Sequence, residues 1–278
     1  MPKRIDCRGK VLKLDRTLIM GILNITQDSF SDGGLSLSKE SALKNALKMI
    51  SDGADIIDIG GESSRPGSEP VSAKEEIRRV LPVIKELRKK SDAIISIDTY
   101  KPEVADKCLK AGAGIINDIT GLTNPYMRKI AAKHKALVII MHMQGNPKTM
   151  QVNPHYKDVV NEIIMFFRKQ ISLAEKEGIK EIIIDPGFGF GKTVENNIEI
   201  LRRLREFTVL KKPILVGVSR KSFLGAITGL PVNQRLEATI TANTIAILNK
   251  ADIIRVHDVK QCKQSANITN MIRYKELK

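Results

Sequence analysis

The sequence predicts a (β/α)8 barrel of the TIM-barrel type, and three observations support this fold class. Short apolar runs alternate with amphipathic stretches along the whole chain, which indicates strands and helices in strict succession. The length of 278 residues is close to the roughly 250 residues of one such barrel. Polar side chains follow the predicted strands at their carboxyl ends, where these barrels carry functional groups. An open, doubly wound parallel sheet is the alternative.

The predicted strands are short, and most are rich in β-branched residues, as strands buried on both faces should be. They cover Leu18–Leu23, Ile56–Ile59, Ile94–Ile97, Ile115–Ile116, Leu137–Met141, Ile182–Ile184, Ile214–Val218 and Ile253–Val256. Since each strand is followed by a helical pattern, the strands are expected to run parallel.

Helical patterns fill the intervals between the strands. One begins after Ser38 and ends near Gly53. Ser72-Ala73-Lys74-Glu75 predicts a capping box for the next helix, and Pro82 predicts a kink or a restart within it. Further helices are predicted over Arg168–Glu177 and Leu236–Leu248.

The opening segment Arg4–Asp15 has short alternating runs around Arg8-Gly9-Lys10, which predicts a hairpin. We expect this hairpin to precede the first barrel strand and to close the bottom of the barrel. No low-complexity linker interrupts the chain, so residues 1–278 are expected to form a single domain.

The net charge is strongly positive, since 46 Lys and Arg stand against 31 Asp and Glu, giving +15. Such an excess favours an anionic partner such as phosphate or nucleic acid, but a lysine-rich solvated surface would also produce it. Aromatic residues make up only 4% and there is no Trp, which disfavours a base-stacking platform. We therefore expect small-molecule substrates rather than a nucleic-acid partner.

The cysteines and the apolar runs predict the compartment. Cys7, Cys108 and Cys262 are far apart and form no CxxC motif, so a disulfide framework is not expected and a reducing, cytoplasmic environment fits. The longest apolar run, Ala136–Met141, is much shorter than a membrane span, and the first residues contain no apolar signal segment. No membrane partner is therefore expected.

Polar or titratable side chains follow every predicted strand. In chain order they are Asn24, Asp58, Asp98, Asn117, His142, Asp185, Ser219 with Lys221, and Arg255 with His257. A single carboxylate at the end of a strand is often only the cap of the next helix. Because the carboxyl ends of parallel strands meet at one rim, the whole set predicts an active site there.

The segment Asp185–Thr193 contains three glycines and ends in Gly191-Lys192-Thr193, like a phosphate-binding P-loop. A P-loop requires Gly five residues before Gly191, where this chain has Pro186. An ATPase is therefore not predicted. The glycines still allow the backbone to approach a flat ligand closely.

Basic residues after the last two predicted strands favour a phosphate-binding corner. Ser219–Ser222 and Arg255–His257 occupy the loops where barrels of this type often hold phosphate. Arg presents a planar fork, Lys a point charge, and His a hydrogen bond or a charge near neutral pH. No histidine pair has the spacing of a protein-caged metal, but Mg²⁺ bridging substrate phosphates needs only one or two protein oxygens. Asn24 is well placed to supply one.

Taken together, these motifs resemble the dihydropteroate synthase family. Met20–Gly34 is similar to the first signature of that family, and Asp58–Gly67 to its second. Further matches follow in family order at Ser96–Thr99, Ile116–Asp118, Met141–His142, Asp185–Thr193, Ser219–Ser222 and Arg255–Asp258. The matches extend from the first predicted strand to the last. The chain departs from the family at several positions, among them Met143, where a frequent Asn is replaced.

The resemblance implies an activity and a set of site residues. p-Aminobenzoate would displace pyrophosphate from 6-hydroxymethyl-7,8-dihydropterin pyrophosphate to give 7,8-dihydropteroate, a folate precursor. The implied pterin-binding residues are Asp98, Asn117, Met143, Asp185 and Lys221, and the diphosphate would contact Asn24, Arg255 and His257. The implied p-aminobenzoate residues are Phe30, Arg65, Pro66, Phe190, Lys221 and Ser222. The catalytic set is expected to be Asp32, Asp98, Lys221, Arg255 and His257, with Mg²⁺ bound at Asn24.

Two other functions stay open at this point. A pterin-binding methyltransferase domain, which transfers a methyl group from a tetrahydrofolate to a corrinoid protein, shares the barrel but needs no phosphate corner. A basic nucleic-acid-binding protein is favoured only by the net charge of +15. The family resemblance also implies a homodimer, with the apolar helix Leu236–Leu248 as one possible contact.

Overall fold

The strands form two sheets in a computed structural model, which describes residues 3–25, 34–63 and 68–274. The first is an antiparallel hairpin of β1 (Lys3–Cys7) and β2 (Lys10–Leu14). The second is a parallel sheet whose strands are β3 (Leu18–Asn24), β4 (Ile56–Gly60), β5 (Ile94–Asp98), β6 (Ile115–Asp118), β7 (Leu137–Met141), β8 (Ile182–Asp185), β9 (Leu215–Val216) and β10 (Ile253–Val256).

The parallel sheet curls into a barrel. Its hydrogen-bonded order is β8-β7-β6-β5-β4-β3-β10-β9, so strands adjacent in sequence are adjacent in space. The two end strands then meet through a bridge between Ile184 and Ile214, and the Ile184 N–H donates to the Pro213 carbonyl at 3.0 Å. The predicted barrel is therefore confirmed, and the open doubly wound sheet is wrong.

The strands lie close to their predicted positions because their residues are buried on both faces. All five residues of β4, for example, are buried, as the unbroken apolar pattern requires. The largest difference is β9, which covers only Leu215–Val216 of the predicted Ile214–Val218. At that point the barrel closes by a single bridge, so the ladder is too short to define a longer strand.

Helices follow the strands on the outside of the barrel. They are α1 (Gly34–Ser51), α2 (Ala73–Lys90), α3 (Pro102–Lys110), α4 (Pro125–His134), α5 (Val159–Lys176), α6 (Val194–Arg202), α7 (Ser222–Thr228), α8 (Leu236–Leu248) and α9 (Val259–Tyr274). Across the described ranges, none of these helices combines the length and the apolar character needed to cross a bilayer.

Several helix predictions required correction. Helix α1 begins at Gly34 rather than after Ser38. Helix α2 begins at the predicted Ser72 cap, where Ser72 Oγ accepts the Glu75 N–H at 3.2 Å. The Glu75 carboxylate accepts from Arg78 and Arg79 rather than completing the predicted capping box, and the helix runs through Pro82 without a restart. Pro82 is exposed, while the opposite face of α2 is buried, so packing offsets the lost backbone hydrogen bond. Helix α5 begins at Val159 rather than at Arg168, because Asp158 caps the Val160 and Asn161 N–H groups.

The hairpin closes the amino-terminal end of the barrel, as predicted. Its apolar residues, including Ile5 and Leu12, pack in one cluster with the first residues of the barrel strands. Arg8 donates to the Leu109 and Ala113 carbonyls, both at 2.7 Å. The opposite rim, at the carboxyl ends of the strands, is therefore the end that carries the polar residues.

Candidate active site

The register of β3, β4 and β5 places polar groups side by side at the carboxyl rim. Asn24 pairs with Gly60, and Gly60 pairs with Asp98. Gly60 has no side chain between them: a Cβ built there would lie 3.7 Å from both Asn24 Oδ1 and Asp98 Oδ2. The oxygens of Asn24 and Asp98 therefore border the same small space. In the next strand, Asn117 pairs with Asp98.

Arg255 crosses this rim and joins two carboxylates. Its Nε donates to Asp58 Oδ2 and its Nη2 to Asp98 Oδ2, each at 2.6 Å. Asn117 Nδ2 donates to the same Asp58 oxygen at 3.1 Å. The family resemblance implies a diphosphate contact and a catalytic role for Arg255, and the structure also makes it the centre of a buried acid–base cluster. Asp58, which is completely buried, orients both Arg255 and Asn117.

Charges in this cluster depend strongly on one another. Burial raises the pKa of Asp98, and the Asp58 carboxylate adds to the rise, while Arg255 opposes it. Burial alone would lower the pKa of Arg255, but the negative charges of Asp58 and Asp98 raise it above its usual value. Arg255 therefore stays charged, and Asp98 is a carboxylate whose proton affinity exceeds that of an ordinary aspartate.

Asp185 ends β8 and is also buried, with 5% of its surface exposed. Its Oδ1 accepts the Gly187 N–H at 2.8 Å, which fixes the carboxylate beneath the glycine-rich loop. Burial raises the pKa of Asp185, and the Gly187 N–H, Lys221 and Arg255 oppose that rise. Because Lys221 and Arg255 act on Asp185 electrostatically, the acidic and basic side chains share one end of the barrel.

Phe190 and Lys221 meet beside this carboxylate. The Lys221 ammonium lies 4.1 Å from the centre of the Phe190 ring, which is a cation–π contact. Phe190 itself is buried in a small cluster with Met141, and the half-buried Met143 packs against that cluster. The exposed Ser222 follows Lys221 as the first residue of α7. These residues thus form a partly apolar wall with a cation beside it.

The predicted phosphate corner is assembled only in part. Ser219 Oγ lies 3.0 Å from His257 Nδ1, and burial lowers the pKa of His257 to about 4. At neutral pH His257 is therefore an uncharged hydrogen-bonding group. Arg220 does not face the corner as a free cation, because its guanidinium donates to both Asp258 oxygens at 2.9 and 2.6 Å. This pairing replaces the phosphate contact expected of Arg220.

Four predicted site residues lie outside the described part of the chain: Phe30, Asp32, Arg65 and Pro66. The remaining predicted residues all come from the carboxyl ends of barrel strands or from the loops that follow them. Asn24, Asp98 and Asp185 end strands, Asn117 and Arg255 each lie one residue before the end of a strand, and Lys221 precedes α7.

Asp58 belongs to the predicted rim, but no role was predicted for it. Asp58 lies in the run Ile56-Ile57-Asp58-Ile59, where a charge interrupts a strand buried on both faces. A carboxylate at such a position needs a buried partner. This requirement is the feature of the sequence that could have identified Asp58 as part of a buried polar cluster. Its partners Arg255 and Asn117 are 197 and 59 residues away, so local patterning could not identify them.

The candidate metal ligand is Asn24, an exposed amide at the end of β3. Within residues 3–25, 34–63 and 68–274, no group of three or more His, Cys, Asp or Glu side chains is arranged to hold a metal ion. An amide oxygen with the Asp98 carboxylate across the same space fits a hard cation that keeps most of its water and is held mainly by a substrate.

Comparisons with known proteins identify the family to which this chain is similar. A family profile described as "Pterin binding enzyme" matches residues 20–257. The dihydropteroate synthase of Escherichia coli K12 is 45% identical over 267 residues, covering 95% of this chain and 95% of that protein. The structure of Xanthomonas albilineans dihydropteroate synthase with 4-aminobenzoic acid superposes with a TM-score of 0.93 and 40% identity, covering 99% of this chain and 100% of that one.

A second structure from Xanthomonas albilineans, a complex with 7,8-dihydropteroate, covers the same shares at 39% identity and a TM-score of 0.89. Profile, sequence and structure each cover most or nearly all of the barrel described above. The chain therefore belongs to the dihydropteroate synthase family of pterin-binding enzymes.

Proposed function

We propose that this chain is a transferase that condenses 6-hydroxymethyl-7,8-dihydropterin pyrophosphate with p-aminobenzoate, giving 7,8-dihydropteroate and pyrophosphate. The observation that carries the proposal is the single rim on which buried acids and bases meet. Asp185 lies there under the influence of the Arg255 charge, and Arg255 contacts Asp98 at 2.6 Å. A bicyclic heterocycle with a diphosphate tail requires acidic groups for the ring and basic groups for the diphosphate at the same end of the barrel.

Asp185 is the group that recognises the pterin in this proposal. The pterin edge carries neighbouring N–H donors, and a recessed carboxylate can accept two of them. An analogue without these donors would leave a buried charge unpaired, at a cost of several kcal/mol, roughly 2–5. Asn117 and Lys221 would contact other polar atoms of the ring, and Met143 would lie against its face.

The reaction produces opposite charges on the two sides of the C–O bond that breaks. The C–O bond to pyrophosphate breaks, and the aryl amine of p-aminobenzoate forms the new C–N bond and loses a proton to water. Positive charge develops on the pterin methylene, where Asp98 would stabilise it. Negative charge develops on pyrophosphate, where Arg255, neutral His257 and Asn24 would stabilise it.

Mg²⁺ would be held by the Asn24 amide oxygen together with substrate phosphate oxygens. When bound, it would neutralise charge on the leaving diphosphate. The residues of this chain would orient the substrate at that position: Asn24 faces the space bordered by Asp98, the group placed nearest the pterin methylene.

Phe190, Lys221 and Ser222 form the p-aminobenzoate side of the site in this proposal. The buried Phe190 ring supplies an apolar surface for the aryl ring, and the exposed Ser222 hydroxyl supplies a hydrogen bond for the carboxylate. The predicted residues Phe30, Asp32, Arg65 and Pro66 would complete this subsite. The solved relative with 4-aminobenzoic acid supports this choice of second substrate.

The decisive test is pyrophosphate release from the pterin substrate, measured with and without p-aminobenzoate. We expect release to depend on p-aminobenzoate and dihydropteroate to form in equal amount. Absence of product in the presence of both substrates would contradict the proposal. A gel-shift assay with duplex DNA at physiological salt tests the nucleic-acid alternative, for which the proposal expects no stable complex.

Removal of divalent metal tests the Mg²⁺ site. We expect EDTA to abolish turnover and added MgCl₂ to restore it. Without Mg²⁺, no metal ion would neutralise the negative charge that develops on the leaving diphosphate. Calcium-saturated EDTA serves as the control for chelator effects unrelated to metal. Full activity in metal-free buffer would remove Mg²⁺ from the proposal.

We further propose that the enzyme is a cytoplasmic homodimer. The three cysteines are free and buried, which fits a reducing compartment. On α8, Ile245 and Leu248 are each 40% exposed although the helix is apolar. A second copy of this chain is the partner that would cover them.

A further inference from the structure

The glycine-rich loop between β8 and α6 is held by hydrogen bonds from several sides. Asn197 Oδ1 accepts the Gly189 N–H at 2.7 Å, and Gln151 Nε2 donates to the Gly189 carbonyl at 2.5 Å. The Tyr156 hydroxyl donates to the Gly191 carbonyl at 2.8 Å. The loop that follows Asp185 is therefore a fixed platform rather than an open turn.

Lys192 lies behind this platform and points into the protein. In a P-loop the corresponding lysine reaches a phosphate, but here only 3% of Lys192 is exposed. Its ammonium donates to the Phe190 carbonyl at 2.9 Å and the His142 carbonyl at 3.3 Å, and lies 3.1 Å from His142 Nδ1. A buried ammonium whose contacts at this distance are neutral acceptors is costly, and such a cost calls for a function.

His142 connects Lys192 to the backbone of Asp185 at the end of β8. The His142 backbone N–H donates to the Asp185 backbone carbonyl at 3.0 Å. Burial, with the nearby Lys192 charge, lowers the pKa of His142 to about 2, so its ring is neutral and Nδ1 accepts from the ammonium. A Cβ built on Gly187 would lie 1.9 Å from the His142 carbonyl oxygen, which shows how tightly the loop is pressed against this residue.

Lys192 therefore acts on both ends of the loop. Through His142 it fixes the backbone of Asp185, and through the Phe190 carbonyl it fixes the residue whose ring lies under Lys221. Its charge also reaches the carboxylate: Lys192, Lys221 and Arg255 all oppose the rise that burial causes in the pKa of Asp185. In turn, burial lowers the pKa of Lys192 to about 7, and the Asp185 charge opposes this change. In mildly acidic solution the ammonium is thus charged.

We propose that Lys192 is a positioning residue for pterin recognition: from behind the loop, its ammonium fixes the backbone on both sides of the pterin-binding carboxylate of Asp185 and acts on that carboxylate by its charge. This inference rests on the proposed function, since it concerns the same pterin site. Lys192 does not contact the substrate. It acts through His142, through the loop backbone and through its charge.

The test measures pterin affinity against pH. The dissociation constant of 6-hydroxymethyl-7,8-dihydropterin pyrophosphate is determined by calorimetry between about pH 5 and pH 8 for the wild type, Lys192→Met and Tyr156→Phe. Tyr156→Phe is the matched control, because it removes a hydrogen bond to the same loop but no charge. Thermal unfolding of each variant verifies that it is folded.

The wild type should lose affinity on the acid side as Asp185 takes up a proton. In Lys192→Met this loss should begin at higher pH, by about one unit, which makes binding about tenfold weaker in that range. Tyr156→Phe should weaken binding by less, about threefold, with the acid loss at the wild-type pH. A purely structural role would not move the pH dependence.

Lys192→Gln decides the question if Lys192→Met does not fold, because glutamine removes the charge but keeps N–H donors for the loop. A shift of the acid loss in Lys192→Gln supports the inference. Wild-type pH dependence in a folded Lys192 variant overturns it while leaving the proposed function intact. Failure of the wild type to bind the pterin at all would overturn the proposed function and this inference together.

Discussion

Arg255 has a structural role and, in the proposed function, a catalytic one. Its guanidinium pairs with both Asp58 and Asp98 before any substrate arrives, and both hydrogen bonds are 2.6 Å long. Removal of the guanidinium would leave two neighbouring carboxylates without their cation, which is more costly than loss of an exposed ion pair.

We therefore expect Arg255→Ala to lower kcat/KM by about 2–4 kcal/mol of transition-state stabilisation and also to lower the melting temperature. Steady-state kinetics and calorimetry measure the two effects. Arg203→Ala is the control, because Arg203 also pairs with two acids, Asp158 and Glu206, which are not those that Arg255 contacts. Near-wild-type kcat/KM in Arg255→Ala would contradict the anion-stabilising role.

His257 should make stability depend on pH. Burial lowers its pKa from 6.5 to about 4, so between these values the unfolded chain binds a proton that the folded protein does not. His257 should consequently contribute a loss of stability as pH decreases through this window, of at most about 1.4 kcal/mol per pH unit. Urea unfolding from pH 4 to 7 should show a smaller loss of stability on acidification in His257→Gln than in the wild type. An unchanged pH dependence in His257→Gln would contradict this contribution.

At the scale of elements, the glycine-rich loop depends on one glycine more than on others with similar backbone angles. Gly187 (φ +71°) and Gly178 (φ +85°) both adopt left-handed conformations, but a Cβ on Gly178 would meet no atom within 4 Å. Gly178→Ala should therefore cost only the conformational strain, about 1–2 kcal/mol.

Gly187→Ala should cost far more, on the order of 4 kcal/mol, because its Cβ would collide with the His142 carbonyl. Chemical denaturation compares the two variants, and calorimetry with the pterin substrate should show weakened binding only in Gly187→Ala. Equal destabilisation by the two alanines would mean that the loop can move away from His142.

The positions of the strands could be predicted from the sequence because burial on both faces produces unbroken runs such as Leu137–Met141, which is also the observed β7. The helix boundaries were harder to predict from the sequence. The start of α5 depends on the Asp158 cap, and the continuity of α2 depends on tertiary burial of Val83 and Ile84. Local propensity cannot weigh such packing against the hydrogen bond that Pro82 lacks.

At the scale of the whole molecule, the exposed apolar residues of α8 predict the oligomeric state. Light scattering should give twice the mass of one chain, and Ile245→Asp should produce monomers because it places a charge in the proposed contact. Ile268→Asp on α9 is the matched control, since Ile268 is 69% exposed but lies on another helix. A wild-type protein that is monomeric at all concentrations would refute the dimer.

The location of the site followed from topology, because residues such as Asn24 and Asp185 end strands that all point to one rim. The hydrogen-bond partners of the rim residues could not be predicted from topology. The bonds of Arg220 to Asp258 and of Lys192 to His142 join segments 38 and 50 residues apart, and they depend on how the loops fold over the rim. Sequence patterning reports which residues reach a surface, but side-chain pairing across that surface is set by three-dimensional packing.

The contacts of Arg255 also constrain how this protein can change over evolutionary time. One guanidinium on β10 ties together carboxylates from β4 and β5, on the far side of β3. Replacement of any one of these three residues would leave the charges of the others without a partner. Asp58, Asp98 and Arg255 should therefore be conserved together. Asp58, to which the proposed function gives no substrate contact, should then be as invariant among descendants as Asp98 and Arg255, to which it gives one.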